Sequence, residues 1–214
     1  MLRFNHADGA WDSGTLQTDF MLNVHALSNV MHYGQAIFEG LKCYHCADGK
    51  VRVFNPQANA NRLRSGCERL QMPIVPDELF HAALDRVIID NVDYVPPYGS
   101  GGSMYLRPFL FGHGAKLGLG PAPEYSFCVV ASPVGAYYKG GLEAIDALVV
   151  EQFDRAAPRG VGNIKAAGNY APDVRPAYEA KSKGFPVCLY MDAKENAYVE
   201  EFSTSNFLGV TQVR

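Results

Sequence analysis

The chain has 214 residues, of which 48% are hydrophobic, so it is long enough for one large domain or two smaller ones with buried cores. Its formal net charge is −3 and its basic residues are scattered, which argues against binding to nucleic acid or to an anionic membrane. The first residues lack an apolar signal core, and no stretch approaches the ~20 apolar residues of a membrane-spanning helix. We therefore expect a cytoplasmic protein whose partners are small molecules.

The five cysteines are an odd number, which favours reduced thiols over a secreted disulfide framework. Cys43 and Cys46 form a C-x-x-C motif, but they lie in LKCYHCADGKVRVF, which predicts two strands joined at Asp48 and Gly49. Residues three apart on a strand point to opposite faces. Because no second pair of Cys or His completes a ligand set, we expect no metal site.

Two helices are predicted next along the chain. The first has an apolar face and ends before Pro73; the residues of that face are Ala60, Leu63, Cys67 and Leu70. The second opens at PDELF with acids in its first turn and ends before Pro96. Its apolar side comprises Leu79, Ala83 and Val87.

Short β-branched or aromatic segments bounded by Gly or Pro predict strands at 103–111, 125–134, 144–153, 186–192 and 206–213. A last helix is expected between Asp173 and Gly184. Strands and helices that alternate in this way indicate a mixed α/β fold.

The segment SPVGAYYKGG, residues 132–141, is rich in Gly and Pro and separates two predicted strands. It predicts a linker between a domain at 1–131 and a second at 142–214. Because the final predicted strand has nothing to pack on, and complete domains protect long strand edges, we expect the second domain to be incomplete.

The segment GNIKAAGNYAP places Lys165 among small and apolar residues. Burial in such surroundings makes a lysine easier to deprotonate, which suits it to form a Schiff base with an aldehyde. A surface lysine that reaches water is the other interpretation that the local residues allow.

The strand SMYLRPFLF carries an arginine, Arg107, and both of its faces look buried. Alternation places Tyr105, Arg107, Phe109 and Phe111 on one face and Met104, Leu106 and Leu110 on the other. An arginine in that position needs an anionic partner. The strand alone leaves open whether this is a ligand carboxylate or an internal Asp or Glu.

Six segments in order resemble the branched-chain amino acid aminotransferases, which are pyridoxal-phosphate enzymes of fold type IV. They are HYGQAIFEGLK, NRLRSGCERL, SMYLRP, SPVGAYY, IKAAGNY and EEFSTSN. The resemblance extends from about Tyr33 to the end of the chain. It implies a small N-terminal α/β domain, the interdomain linker at 132–141, and the first part of a larger, β-rich cofactor-binding domain.

For the cofactor, pyridoxal 5'-phosphate, the resemblance implies that Lys165 forms the Schiff base and then carries a proton. Glu201 would face the pyridine nitrogen, and Tyr170 would hydrogen-bond the phenolic oxygen of the ring. Arg62, which by itself looks like a solvated helix charge, would hold the phosphate, and Thr204 would lie near the cofactor.

On the substrate side, the resemblance implies roles for Tyr33, Tyr105 and Arg107 and a homodimer in which some of these residues reach the neighbouring subunit. The implied reaction transfers the amino group of leucine, isoleucine or valine to 2-oxoglutarate, which gives a 2-oxo acid and glutamate. A D-amino acid aminotransferase, an aminodeoxychorismate lyase and a catalytically silent fragment are the alternatives. The chain departs from the family in having Ala167 before Gly168, where two glycines are common, and in lacking the later phosphate-binding segment.

Overall fold

The computed structural model describes residues 1–136 and 143–212. Residues 1–136 form one compact unit together with 164–167, and residues 143–163 with 168–212 form a second. Part of the predicted linker, at 137–141, lies outside the described residues. Within the described ranges, no helix is both long and apolar enough to span a bilayer.

The first unit contains four helical segments and a large sheet in its described part. The helices are α1 (Asn29–Tyr33), α2 (Pro56–Arg69), α3 (Asp77–Ile89) and a 3-10 turn (Val92–Tyr94). The strands are β1 (Leu2–Ala7), β2 (Ala10–Trp11), β3 (Thr15–Leu16), β4 (Ala36–Phe38), β5 (Leu41–His45), β6 (Val51–Val53), β7 (Ser103–His113) and β8 (Glu124–Val134).

The large sheet is antiparallel and is organised around the long pair β7 and β8. Among the described residues its order is β2-β1-β8-β7-β5-β6, while β3 pairs with β1 and β4 pairs with β7. Helix α3 packs on β8, and α2 packs on both α3 and β4. Leu106 and Phe127, both fully buried, lie in the core that this packing creates.

The second unit has a small sheet of its own. Its elements are β9 (Ala147–Val150), a 3-10 turn (Ala167–Asn169), α4 (Val174–Ser182), β10 (Val187–Met191) and β11 (Val199–Phe202). Strand β10 is central, since it pairs in parallel with β9 and antiparallel with β11. A small core containing Val150, Ala180, Cys188 and Tyr190 joins α4 to this sheet.

Most of the predicted elements are confirmed. The hairpin through Asp48 and Gly49 is β5 and β6, the two predicted helices are α2 and α3, and the helix after Asp173 is α4. The strand predicted at 144–153 is shorter, comprising only Ala147–Val150. The strand predicted at 206–213 is wrong, because residues 206–212 have no regular secondary structure and residue 213 lies outside the described residues.

The alternation predicted for β7 is confirmed, but the prediction that both of its faces are buried is wrong. Met104, Leu106 and Leu110 are buried, whereas Tyr105 and Arg107 on the opposite face are only half-buried. The difference arises because helices cover one face of the sheet. The other face therefore leaves polar groups within reach of a ligand.

Replacing Leu106 with Ala should lower the free energy of unfolding by about 2–5 kcal/mol, because it opens a cavity in a closely packed core. Urea denaturation followed by the fluorescence of Trp11, the single tryptophan, would measure this change. Leu119→Ala is the control, since Leu119 is 88% exposed and its loss should change stability by no more than about 0.5 kcal/mol. Equal effects of the two substitutions would contradict the packing described for β7.

All five cysteines are free thiols, as predicted, and they differ in exposure. Burial raises the pKa of Cys67 to about 11 and that of Cys128 to about 12, and it also raises the pKa of Cys43 and Cys188. Only Cys46 is partly exposed. Thiolates are the reactive form, so the buried thiols should resist alkylation.

Brief treatment of the native protein with iodoacetamide should therefore label Cys46 before the other four cysteines. Peptide mapping by mass spectrometry would show the order, and full labelling should require denaturant. Labelling of Cys128 as fast as that of Cys46 in the native protein would contradict this burial pattern.

Candidate active site

Tyr105 and Arg107 lie side by side on the half-buried face of β7. The Tyr105 hydroxyl accepts hydrogen bonds from Nε of Arg107 at 3.0 Å and from Nη2 at 2.8 Å. The Cζ atom of Arg107 also lies 4.5 Å from the centroid of the Phe38 ring, in a cation–π contact. These contacts fix the plane of the guanidinium, so its donors are oriented before any ligand binds.

Lys165 is held against the same part of the sheet. Its carbonyl oxygen accepts a hydrogen bond from the Phe38 N–H at 3.1 Å, and the next residue, Ala166, forms a bridge with Ile37. Its Nζ atom lies 4.9 Å from the centroid of the Phe38 ring. The segment 164–167 therefore belongs with the first unit. Lys165 and Arg107 both contact the ring of Phe38, and Tyr105 is hydrogen-bonded to Arg107.

Arg107 has no internal ion pair in the described part of the chain. Within residues 1–136 and 143–212, no Asp or Glu oxygen lies within 4.0 Å of a nitrogen of Arg107. Its hydrogen-bond acceptor there is the Tyr105 hydroxyl. The sequence left two possible partners for this arginine, a ligand carboxylate and an internal Asp or Glu. The described residues do not supply the internal carboxylate.

The arginine predicted to hold a phosphate, Arg62, makes a two-pronged ion pair. Its Nε donates to Oε1 of Glu39 at 2.6 Å, and its Nη2 donates to Oε2 at 2.7 Å. Glu39 is fully buried, while the side chain of Arg62 is 47% exposed. Arg62 thus differs from the solvated helix charge that its local sequence indicated.

In the second unit, Glu201 and Tyr170 both contact Arg155. Nε of Arg155 lies 3.4 Å from Oε1 of Glu201, and its Cζ lies 5.5 Å from the centroid of the Tyr170 ring. The side chain of Arg155 is only 8% exposed. A buried cation therefore links the two residues that were predicted to contact the cofactor ring in this unit.

The sheet of the second unit fixes the position of Glu201. Glu201 lies on β11 opposite Tyr190 of β10, and the Tyr190 hydroxyl donates a hydrogen bond to the carboxylate of Asp173. Burial and this carboxylate raise the pKa of Tyr190. Tyr190 therefore stays protonated and anchors β10 to the start of α4.

Tyr33 and Thr204 are two of the exposed residues among those predicted for the site. Tyr33 is the last residue of α1 and is 43% exposed, and Thr204 is exposed directly after the buried Ser203. In the described parts of the chain, no hydrogen bond joins the side chain of Tyr33 to Tyr105 or Arg107. The assignments of Tyr33 and Thr204 therefore stay predictions.

Sequence reasoning missed three contributors. Phe38 and Glu39 lie in the segment HYGQAIFEGLK but received no role of their own, and Arg155, in DRAAPRG, looks like an ordinary loop arginine. No local signal marks Arg155, because its burial depends on how the loop folds. Glu39 carried a weak signal, since an acid among apolar residues after a strand needs a partner.

An apolar cleft of about 780 Å³ lies elsewhere on the first unit, beside the β5–β6 hairpin. Tyr44, Phe54 and Tyr98 are among the residues that line it, and none of the predicted site residues does. This cleft is therefore separate from the candidate site on the face of β7.

The fold and these side chains can be compared with known proteins. The model of the class IV amino-transferase family matches residues 36–212. The chain therefore belongs to the class IV aminotransferases, and its fold is that of fold type IV enzymes.

The chain is 47% identical over 210 residues to the branched-chain-amino-acid aminotransferase of Haemophilus influenzae, and the match covers 96% of this chain and 61% of the relative. The crystal structure of the Escherichia coli branched-chain amino acid aminotransferase matches with a TM-score of 0.66 and 31% identity, covering 85% of this chain and 58% of that one.

A crystal structure of the T.th. branched-chain amino acid aminotransferase, complexed with N-(5'-phosphopyridoxyl)-L-glutamate, matches with a TM-score of 0.67 and 26% identity. That match covers 94% of this chain and 60% of that chain. The chain thus spans about three fifths of the length of these relatives.

Gly40→Ala tests the geometry on the face of β7, because a Cβ at Gly40 would overlap the Tyr105 hydroxyl. We expect the hydroxyl to shift and the free energy of unfolding to fall by about 1–3 kcal/mol, as in other overpacked sites. Urea denaturation would measure it. Gly135→Ala is the control, since a Cβ there meets nothing within 4 Å.

Tyr105→Phe should restore most of the stability lost in Gly40→Ala, because it removes the oxygen that the new methyl group meets. A double-mutant cycle isolates this coupling. Additive effects of the two substitutions would show that Gly40 and Tyr105 do not meet as described.

Proposed function

We propose that this chain provides the cofactor-binding lysine and much of the substrate site of a branched-chain amino acid aminotransferase. The observation that carries the proposal is that Nζ of Lys165 and Cζ of Arg107 both lie near the centroid of the Phe38 ring, at 4.9 and 4.5 Å. One aromatic ring is thus contacted both by an amine that can bind an aldehyde and by a guanidinium that can bind the carboxylate of an amino acid.

The residues present fit pyridoxal 5'-phosphate. Arg62 offers a guanidinium whose orientation Glu39 fixes, Lys165 offers an amine, and Glu201 offers a carboxylate for the ring nitrogen. When bound, the cofactor supplies an electron sink that stabilises negative charge at the amino acid Cα. The phosphopyridoxyl ligand of the T.th. relative supports the same choice.

Each residue then has a defined task. Nζ of Lys165 binds the cofactor and carries a proton, and Oε1 or Oε2 of Glu201 holds a proton on the ring nitrogen. Tyr170 orients the ring through its hydroxyl. The guanidinium of Arg107 binds the substrate carboxylate and is oriented by Tyr105.

The proposed substrates are leucine, isoleucine and valine as amino donors, with 2-oxoglutarate as acceptor. The names of the relatives support the donor class. Phe38 offers an apolar surface beside Arg107, which suits an aliphatic side chain next to a carboxylate. Tyr33 and Tyr105, which have apolar rings and polar hydroxyls, suit a pocket that accepts both an aliphatic chain and a second carboxylate.

We also propose a homodimer located in the cytoplasm. Large apolar side chains that are exposed in the part of the chain before Tyr33 support the dimer; they are Phe20, Met21 and Met31. Free cysteines throughout the chain support a reducing compartment. Sedimentation velocity would test the dimer, which a monomer at micromolar concentration would contradict.

The proposal predicts that pyridoxal phosphate modifies Lys165 selectively. The purified chain, mixed with the cofactor and reduced with borohydride, should carry the pyridoxyl mass on the peptide containing Lys165, as shown by mass spectrometry. Lys165→Ala should abolish that label. Lys50→Ala is the control, because Lys50 is an exposed lysine in the β5–β6 turn and its loss should leave the label unchanged.

A label spread evenly over surface lysines, or one that survives in Lys165→Ala, would contradict the proposed site. With selective labelling in hand, the donor class can be tested by comparing L-leucine with D-alanine. Faster amino transfer from D-alanine would reassign the chain to a D-amino acid aminotransferase.

A further inference from the structure

Glu39 is an unusual acid because its side chain is fully buried. Its carboxylate accepts four hydrogen bonds: two from Arg62, one from Nδ2 of Asn59 at 2.7 Å and one from the Gly40 N–H at 3.3 Å. Removing a carboxylate from water is costly unless such donors compensate for it. The chain therefore holds a buried charge at this position. The free-energy cost of burying it suggests that Glu39 has a specific role.

The ion pair is asymmetric. Glu39 is inaccessible, whereas the side chain of Arg62 is 47% exposed, so the buried partner anchors a guanidinium that solvent and ligands can reach. An exposed arginine otherwise samples many rotamers and loses that freedom when it binds an anion. Here Nε and Nη2 are held before any ligand binds.

Glu39 engages only one edge of the Arg62 guanidinium. A guanidinium has five N–H donors, and the Glu39 carboxylate uses one on Nε and one on Nη2. The edge that includes Nη1 points away from Glu39. A phosphate monoester matches such a planar pair of donors.

We propose that Glu39, assisted by Asn59, is a positioning residue that orients Arg62 for the phosphate of the cofactor. This inference rests on the proposed function, since it assumes that Arg62 binds that phosphate. Glu39 itself touches neither cofactor nor substrate in this role. It acts through the angle at which it holds the guanidinium.

The negative charge of Glu39 has two opposing effects on the affinity of Arg62 for a phosphate. The direction in which that affinity changes when the charge is removed shows which effect is larger. Glu39 weakens the Coulombic attraction of Arg62 for a phosphate, but it removes the entropic cost of orienting the side chain. If orientation dominates, replacing Glu39 with the isosteric, neutral Gln weakens phosphate recognition. If the charge dominates, the same substitution strengthens it.

The experiment compares the affinities of the purified chain for pyridoxal phosphate and for pyridoxal, which lacks the phosphate. Absorbance titrations give the two dissociation constants. The preference for pyridoxal phosphate is the dissociation constant of pyridoxal divided by that of pyridoxal phosphate. This ratio separates the contribution of the phosphate from that of the ring. In Glu39→Gln we expect this ratio to fall by roughly tenfold, within the range that the rotamer entropy of an arginine allows. Pyridoxal itself should bind nearly as before.

Asp48→Asn is the matched control. Asp48 also makes a two-pronged contact with an arginine, accepting from Nη1 and Nη2 of Arg52 at 2.7 and 2.6 Å on the exposed β5–β6 hairpin. Its removal also releases an arginine from a carboxylate, but that arginine has no proposed phosphate. The ratio should therefore stay as in the unmodified chain.

Asn59→Ala keeps the result decisive if Glu39→Gln does not fold, as circular dichroism would show. It removes one of the four hydrogen bonds to Glu39 and leaves the charge pair in place. A lowered ratio in Asn59→Ala, by roughly twofold to threefold for the loss of one such hydrogen bond, supports the proposal, and an unchanged ratio overturns it.

Failure of this inference is distinguishable from failure of the proposed function. If the unmodified chain prefers pyridoxal phosphate and labels at Lys165, but the Glu39 variant keeps or increases the preference, the positioning role is overturned and the function stands. If the unmodified chain does not distinguish pyridoxal phosphate from pyridoxal, the phosphate role of Arg62 and this inference are both overturned.

Discussion

The pairing of the short strand β4 with β7 is the constraint on which the candidate site depends. Its register sets Phe38 opposite Phe109 and Ile37 opposite Leu110. Because strand residues alternate between faces, Phe38 lies on the same face as Arg107, and Ile37 points into the core. The ring of Phe38 can then lie close to both Arg107 and Lys165. A slip of one residue would reverse every one of these directions.

The same alternation explains the two residues that follow. The backbone N–H of Glu39 donates a hydrogen bond to the Pro108 carbonyl at 2.7 Å, which extends the pairing by one residue. The side chain of Glu39 points toward α2, where it forms the ion pair with Arg62. Gly40 returns to the face of Phe38 and leaves room for the Tyr105 hydroxyl. Three consecutive residues thus have different roles. Phe38 supplies the ring that Arg107 and Lys165 contact, Glu39 is the buried partner of Arg62, and Gly40 leaves space for the Tyr105 hydroxyl.

Local patterns in the sequence were sufficient for most elements and for the identity of the unusual residues. The 3.6-residue period of α2 and α3 and the alternation in β7 predicted those elements correctly. The failure at 206–213 has a physical cause. Segments with strand propensity become strands only when another strand pairs with them, and within the described residues the segment 206–212 has no such partner.

The contacts of the site could not be predicted from local patterns. Lys165 stood out among small residues, but its place beside Phe38 depends on a bridge between Ile37 and Ala166, more than a hundred residues apart in the chain. The partner of Arg62 depends in the same way on the packing of α2 against β4. Resemblance to a family supplied roles for these residues, and the fold supplied the neighbours that orient them.

Transfer of a labelled amino group tests the central claim most directly. The purified chain would be incubated with pyridoxal phosphate, ¹⁵N-labelled L-leucine and 2-oxoglutarate, and the products analysed by mass spectrometry. The account predicts ¹⁵N-glutamate, formed in proportion to the enzyme and absent when Lys165 is replaced with Ala. A folded chain that forms no ¹⁵N-glutamate, or forms it equally well without Lys165, would contradict the account.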